Sequence, residues 1–187
     1  PSLISSAEAA TPKKGGTIRC AMQVQDMSDP AVYDWVEKSN VSRQMAEYLT
    51  ITGADNVTRP YLAEKWVPSD DLKTWTFHLR KGVHFGNGDE LTADDVIFNI
   101  KRWLDPNVGS SMVGMLNSMV NEEDGKDKDG KPIKVKRMIE GSAEKVDKYT
   151  VRVHLSSPDL SIPEKMYHYP AAIMHRSFAE KGANIAK

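Results

Sequence analysis

The sequence predicts a mixed fold in which helices and strands are interleaved, of the α/β or α+β class. Two segments, residues 74–80 and 149–155, carry apolar side chains at every second position, which is typical of a strand with one buried face. Between them, residues 92–104 place their apolar side chains at helical spacing. Because a helical pattern lies between two strand patterns, the sequence favours a mixed fold over an all-helical or all-strand one.

Composition and charge narrow the class of protein. The 187 residues are 40% apolar and 27% charged, an ordinary balance for a globular chain. The 25 basic and 26 acidic residues nearly cancel, which argues against nucleic-acid binding and gives no support to electrostatic membrane docking. No apolar run approaches the roughly 20 residues of a membrane-spanning helix. The single cysteine, Cys20, excludes an internal disulfide and a cysteine-built zinc site.

The N-terminal third is expected to contain one strand and one helix. Residues 1–10 are small and polar and include Ala-Glu-Ala, which is typical of a signal-peptide remnant or of a plain leader. Residues 17–22 are predicted to form a short buried strand, and residues 23–30 a loop that closes at Asp29-Pro30. Asn40 is predicted to cap a helix with four apolar positions, namely Val41, Met45, Tyr48 and Leu49.

The middle of the chain gives the clearest predictions. In residues 74–80, Trp75, Phe77 and Leu79 share one face, and burying each such side chain contributes roughly 1.5–3 kcal/mol. Thr92 is expected to cap the following helix, with two aspartates in the first turn, where the helix dipole favours carboxylates. The buried stripe of that helix is predicted to consist of Val96, Ile100, Trp103 and Leu104.

The last third alternates short strands and helices. Residues 122–132 are expected to form a charged loop, and residues 122–137 as a whole, with six basic and five acidic residues, a solvated hairpin. Two short strands are predicted within residues 133–146. A buried strand is expected at residues 171–174. Short helices are expected at residues 161–169 and 176–181.

The sequence contains few of the patterns that carry chemistry. It has no nucleophile elbow, no His-Glu-x-x-His and no phosphate loop, and the acidic pairs are neighbours whose side chains point apart. Residues 125–130 resemble a calcium loop, but Gly125 stands where the first aspartate belongs and Lys136 where the final glutamate belongs. We therefore predict no cofactor and no metal. The better candidates for a ligand surface are Trp35 and residues 23–29.

One long stretch is highly specific. Residues 60–96, PYLAEKWVPSDDLKTWTFHLRKGVHFGNGDELTADDV, closely resemble the signature of the family 5 extracytoplasmic solute-binding proteins, the dipeptide- and oligopeptide-binding proteins of ABC importers. Residues 15–19 resemble the first strand of that family, residues 145–155 a later strand, and residues 171–174 the return to the main lobe. The resemblance covers nearly all of residues 11–187, and its parts occur in order.

The resemblance implies a periplasmic binding protein-like fold of type II. Such a fold has two lobes joined by a hinge, and an inserted α+β subdomain in lobe one. By resemblance, residues 11–43 begin lobe one, residues 44–164 form the inserted subdomain and residues 165–187 return to lobe one. The second, C-terminal lobe would then lie outside this chain, in the same protein or in a second chain.

The resemblance also implies the function. The expected role is capture of short peptides in the periplasmic or extracytoplasmic space and delivery to ABC transporter permease subunits, without catalysis. The ligand-binding residues are expected at Gln23, Val24, Gln25, Asp26 and Met27, with Met112 second. Asp26 would meet a ligand ammonium, or would cap a turn instead. The alternatives are a non-peptide solute (oligosaccharide, opine, nickel complex or haem), a sensor or scaffold that has lost transport, and a hydrolytic enzyme.

Overall fold

A computed structural model describes residues 14–23, 26–180 and 182 of the chain. The strands are β1 (Thr50–Thr52), β2 (Thr58–Pro60), β3 (Ala63–Pro68), β4 (Thr74–Leu79), β5 (Val120–Lys126), β6 (Pro132–Met138), β7 (Ala143–Asp147) and β8 (Thr150–His154). The helices are α1 (Val36–Ser42), α2 (Ala93–Trp103), α3 (Met112–Met115), α4 (Ile162–Lys165) and α5 (Ser177–Glu180). Single 3₁₀ turns occur at Pro30–Val32 and Asn117–Met119.

A four-stranded sheet in the order β3-β4-β8-β7 forms the centre of the fold. All three of its strand pairs are antiparallel, with Trp75 opposite Val153 and Phe77 opposite Val151. Strand β4 alternates between half-buried and buried positions, so the predicted strand at residues 74–80 is confirmed. Strand β8 confirms the second predicted alternation. The mixed class is also confirmed, and the antiparallel pairing gives the described part an α+β organisation.

Helix α2 covers this core as its sequence predicts. Val96, Ile100 and Trp103 are buried, and the backbone N–H of Thr92 donates to Asp95 Oδ2 at 3.0 Å. The predicted N-terminus and buried stripe are therefore confirmed. Ala93 N also donates to Lys148 O at 2.9 Å, which fixes the start of the helix against the turn between β7 and β8.

Strands β5 and β6 form a separate two-stranded hairpin. The prediction of a loop over residues 122–132 is wrong in its first half, because β5 continues to Lys126 before the turn. Pairing of opposite charges across the strands stabilises this polar ladder, and Lys134 Nζ lies 2.7 Å from Asp124 Oδ1. Val135 fills the space over Gly125, since a Cβ there would lie 2.5 Å from a Val135 methyl carbon.

Two predictions for the N-terminal third are wrong. Residues 17–22 are exposed and form no strand, because no described strand runs beside them to supply hydrogen bonds; Ile18 is 91% exposed. The predicted helix capped by Asn40 is instead α1, which contains Asn40 and ends before Tyr48. Tyr48 O and Leu49 O accept backbone hydrogen bonds from Leu62 N at 3.1 Å and Ala63 N at 2.9 Å. These bonds hold Tyr48 and Leu49 beside Leu62 and Ala63, and both residues are buried although they lie outside a helix.

Residues 171–174 lie in the interior, but they form no strand. Ala171, Ala172 and Ile173 are buried, while the backbone of the segment makes one sheet-like contact, from Ile173 N to Glu47 O at 2.9 Å. A single bond of this kind holds an extended segment without building a ladder of strand hydrogen bonds.

Among the described residues, no helix combines the length and the apolar character needed to cross a membrane.

Candidate functional site

The loop predicted to face a ligand is only partly described. Gln23 and Asp26 are exposed, and Met27 is half-buried. Val24 and Gln25 lie outside the described residues. The exposure of Asp26 leaves its carboxylate accessible to a ligand, as the sequence prediction requires, but contact with a ligand stays a prediction.

The C-terminal end of this loop is anchored by Asp29. Its Oδ1 accepts from Ala31 N at 3.0 Å and from Arg102 Nη1 at 2.8 Å, and its Oδ2 accepts from Arg102 Nη2. The two side chains are 13% and 11% exposed, so the ion pair is largely shielded from water. Pro30, Ala31 and Tyr33 are buried directly after it. Burial of Tyr33, with smaller contributions from Tyr48 and Asp29, raises the pKa of its hydroxyl to about 12.

Helix α2 holds a second segment of the chain next to this loop. The buried Asn99 side chain donates to Met174 O at 2.7 Å and accepts from Met174 N at 3.1 Å, as a neighbouring strand would. Asn99 and Arg102 lie three residues apart and therefore on one side of the helix. The Arg102 guanidinium also lies 5.8 Å from the centre of the Phe178 ring. One helix thus positions the loop end at Asp29 and the segment at Met174.

A groove of about 400 Å³ opens beside these segments. Its lining combines polar and apolar side chains from four parts of the chain, namely Arg43, Gln44, Met45, Ala46, Glu47, Tyr61, Leu62, Val83, His84, Phe85, Gly86, Leu91 and Ile173. It continues into a smaller cavity of about 270 Å³ that reaches His175 and Phe178.

The groove carries one fixed cation and one fixed carboxylate. Arg43 Cζ lies 4.2 Å from the ring centre of Tyr167 and 5.4 Å from that of Tyr48, and Arg43 Nη2 donates to Tyr167 O at 3.1 Å. Glu47 Oε1 accepts from the hydroxyl of Tyr61 at 3.1 Å. Burial, and then the hydrogen bond to Glu47, raise the pKa of Tyr61, which favours the protonated hydroxyl that donates this bond. These groups can hold a polar ligand by charge and hydrogen bonding.

Met112, the second predicted ligand contact, lies in the core and not on an exposed loop. Met112 is fully buried in the core, where its N–H donates to Ser110 Oγ at 3.2 Å, so its side chain does not reach solvent. Met115 instead lines a separate cavity of about 270 Å³ that also includes Lys165 and His168. Burial, with a smaller contribution from Arg43, lowers the pKa of His168, which favours the neutral imidazole.

Sequence reasoning missed the polar residues of the groove and the role of Arg102. Arg43 and Glu47 are four residues apart, but residues 43–47 do not continue helix α1, so no periodic pattern marks them. The sequence marks Asp29 as a turn residue, whereas its partner Arg102 lies 73 positions away and no local signal joins the two. Within the described ranges, no group of three or more His, Cys, Asp and Glu side chains is arranged to hold a metal ion.

The sequence of this chain is similar to a known family of proteins. The sequence model of the family described as bacterial extracellular solute-binding proteins, family 5 Middle, matches residues 58–187. A periplasmic oligopeptide-binding protein, OppA of Haemophilus influenzae, is 36% identical over 130 residues, covering 70% of this chain and 23% of its own length. This chain therefore spans about a quarter of that relative.

Solved structures share the fold. The crystal structure of Haemophilus influenzae OppA in complex with RPPGFSPFR has a TM-score of 0.67 and 29% identity, covering 83% of this chain and 29% of the other. The binding protein AgaA of A. tumefaciens R10, solved in complex with agropinic acid, also has a TM-score of 0.67, with 25% identity over 84% of this chain and 28% of the other.

Proposed function

Since this chain belongs to the family 5 bacterial extracellular solute-binding proteins, we propose that it is part of a longer protein that captures short peptides outside the cytoplasm. The captured peptide is then delivered to the permease subunits of an ABC importer. The role is binding without chemical change to the ligand. The observation that carries this proposal is the 36% identity over 130 residues to an oligopeptide-binding protein.

The proposed mechanism is closure of two lobes around the ligand. Residues 11–43 and 165–187 belong to lobe one and residues 44–164 to a subdomain inserted in it, while the second lobe comes from outside this chain. A ligand stabilises the closed form only by its higher affinity for closed than for open protein. Main-chain hydrogen bonds, as in strand addition, give affinity for peptides with little dependence on their side chains.

The proposed ligand contacts on lobe one are Gln23, Val24, Gln25, Asp26 and Met27. Asp26 receives the ammonium group of the peptide, which its exposed carboxylate supports. Met112 is proposed as a second contact, and because it is buried, ligand contact would require helix α3 to shift.

To test the proposal, the full-length protein is purified and incubated with a library of di- to pentapeptides. Unbound peptides are then washed away. We expect mass spectrometry of the denatured complex to recover intact short peptides. Recovery of peptide fragments that were not in the library would contradict binding without catalysis. Recovery of no peptide, with a non-peptide solute carried through purification instead, would reject the peptide version.

A second candidate is a non-peptide organic acid. The structure of AgaA with agropinic acid favours it, because that fold neighbour shares 25% identity over most of this chain. The Arg43 guanidinium in the groove is a suitable partner for a carboxylate. Calorimetry of the full-length protein with the peptide library and with agropinic acid separates the two candidates: heat of binding with the peptides alone supports the first, and with agropinic acid alone the second.

A further inference from the structure

The predicted ligand loop has few attachments of its own. No backbone hydrogen bond joins residues 14–23 or 26–28 to another described residue, and these residues belong to no helix or strand. Among the described residues, the first backbone hydrogen bond is at Asp29, whose O accepts from Val32 N at 3.1 Å. Met27 and Ser28 are half-buried, but the hydrogen bonds nearest to Asp26 and Met27 are those of Asp29, so we take the fixing of Asp29 as the main restraint on their position.

Arg102 is the group that fixes it. A guanidinium that binds both oxygens of one carboxylate determines the orientation of that carboxylate, which a single contact does not. Arg102 Nη1 and Nη2 each donate to one oxygen of Asp29, and both side chains are nearly buried. Arg102 itself stands on α2, whose N-terminus is hydrogen-bonded and whose inner face is in the core. Through Arg102, helix α2 is thus connected directly to Asp29 at the end of the loop.

We infer that Arg102 is a positioning residue that sets the place of residues 26–29, including Asp26, by holding Asp29 through a bidentate ion pair. This inference rests on the proposed function, because it concerns the loop proposed to contact the ligand. Arg102 does not touch the ligand. It acts through the fraction of molecules in which the loop is correctly placed.

The consequence for binding follows from that fraction. If the loop is competent in only a tenth of the molecules, the apparent Kd rises tenfold, although every ligand contact is still available. Replacing Arg102 with methionine keeps much of the apolar stem but removes both hydrogen bonds. The local hydrogen bonds of the 3₁₀ turn, among them Ala31 N to Asp29 Oδ1, and the burial of Pro30, Ala31 and Tyr33 remain, but no bond then joins Asp29 to helix α2.

The experiment compares Arg102→Met with Arg59→Met in the full-length protein. Arg59 also makes a two-point contact with an aspartate, Asp55, but this pair is about half exposed and lies on β2. Two measurements are made: hydrogen–deuterium exchange of residues 26–33 without ligand, and the Kd for trialanine and for the tightest peptide of the library by calorimetry. We expect Arg102→Met to speed exchange at residues 26–33 and to raise the Kd at least tenfold, while Arg59→Met changes neither beyond twofold.

Each outcome decides the inference. Equal exchange at residues 26–33 in wild-type and Arg102→Met protein overturns it, whether or not any peptide binds. Faster exchange with an unchanged Kd also overturns it, because the loop would then not govern binding. If wild-type protein binds no peptide but exchange rises in Arg102→Met alone, the proposed function fails and the anchoring stands. Should Arg102→Met not fold, Arg102→Lys, which keeps the charge and loses the two-point contact, is expected to show the same pattern more weakly.

Discussion

At the scale of single residues, Glu90 shows how hydrogen bonding controls a surface carboxylate. It accepts from Lys148 Nζ at 2.8 Å, from the Tyr149 hydroxyl at 2.8 Å and from Gly82 N at 3.2 Å. These hydrogen bonds, with that from Lys148 the largest contribution, lower the pKa of Glu90 from 4.5 to about 2. Glu90 thereby ties the segment after β4 to the turn between β7 and β8.

The lowered pKa predicts an acid dependence of stability. Because the folded pKa is below the unfolded one, the stabilisation by Glu90 is complete above about pH 4.5 and is lost as the pH falls toward 2. Tyr149→Phe removes one donor, so we expect the pKa of Glu90 to rise toward 4.5 in a carboxyl NMR titration. Tyr61→Phe, which removes a donor to Glu47, is the matched control and should leave Glu90 unchanged. A Glu90 that titrates near 4.5 in wild-type protein contradicts the prediction.

At the scale of elements, helix α2 depends on its first turn. Asp95 is buried and accepts from both the N–H and the hydroxyl of Thr92, each at 3.0 Å. Its neighbour Asp94 is about half exposed and pairs with Lys145 Nζ at 2.6 Å. Both carboxylates interact similarly with the helix dipole, but only Asp95 satisfies a backbone group.

The two neighbouring aspartates should therefore differ in their effect on stability. Asp95→Ala leaves the Thr92 N–H without its partner, and we expect it to lower the free energy of unfolding by about 1–3 kcal/mol. Asp94→Ala breaks an exposed ion pair and should cost less than about 1 kcal/mol. Urea denaturation of the full-length variants measures both. Equal losses would mean that the dipole, and not the cap, governs this end of the helix.

The elements that sequence reasoning predicted are those with complete local patterns. Strand β4 and helix α2 each bury one face, so the period of their apolar residues identifies them without knowledge of the partner. Tyr48 and Leu49 match a helical spacing and are buried, but they lie beyond the end of α1, where their backbone carbonyls accept from Leu62 and Ala63. The sequence therefore predicts correctly that these two side chains are buried, but it predicts the wrong backbone conformation for them.

The candidate site was predictable only at its turn. Asp29-Pro30 is a local signal, and the structure places Asp29 at the start of a 3₁₀ turn as a capping residue. The Arg102 partner and the contact between Asn99 and Met174 join residues 73 and 75 positions apart. Such contacts depend on the packing of α2 against the rest of the chain, which no single segment encodes.

At the scale of the whole molecule, the surface retains large apolar groups. Several large apolar side chains are at least half exposed in the described part of the chain, namely Ile18, Trp35, Met45, Val67 and Leu160. Met45, 63% exposed, lines the groove together with Phe85 and Ile173. Because this chain spans about a quarter of its oligopeptide-binding relative, we propose that other parts of the full-length protein cover some of these groups.

The isolated 187-residue chain is therefore expected to self-associate. Apolar surface that a neighbouring lobe would cover is instead available to a second copy, and its burial lowers the free energy by roughly 25 cal/mol per Å². Light scattering after size exclusion should show a mass above that of a monomer, and the full-length protein should not. Met45→Lys should reduce the association if the groove is the contact surface, whereas Val57→Lys, on the turn between β1 and β2, should not. A monomeric chain with a sharp cooperative melt would contradict the prediction, because it would mean that the exposed groups need no covering lobe.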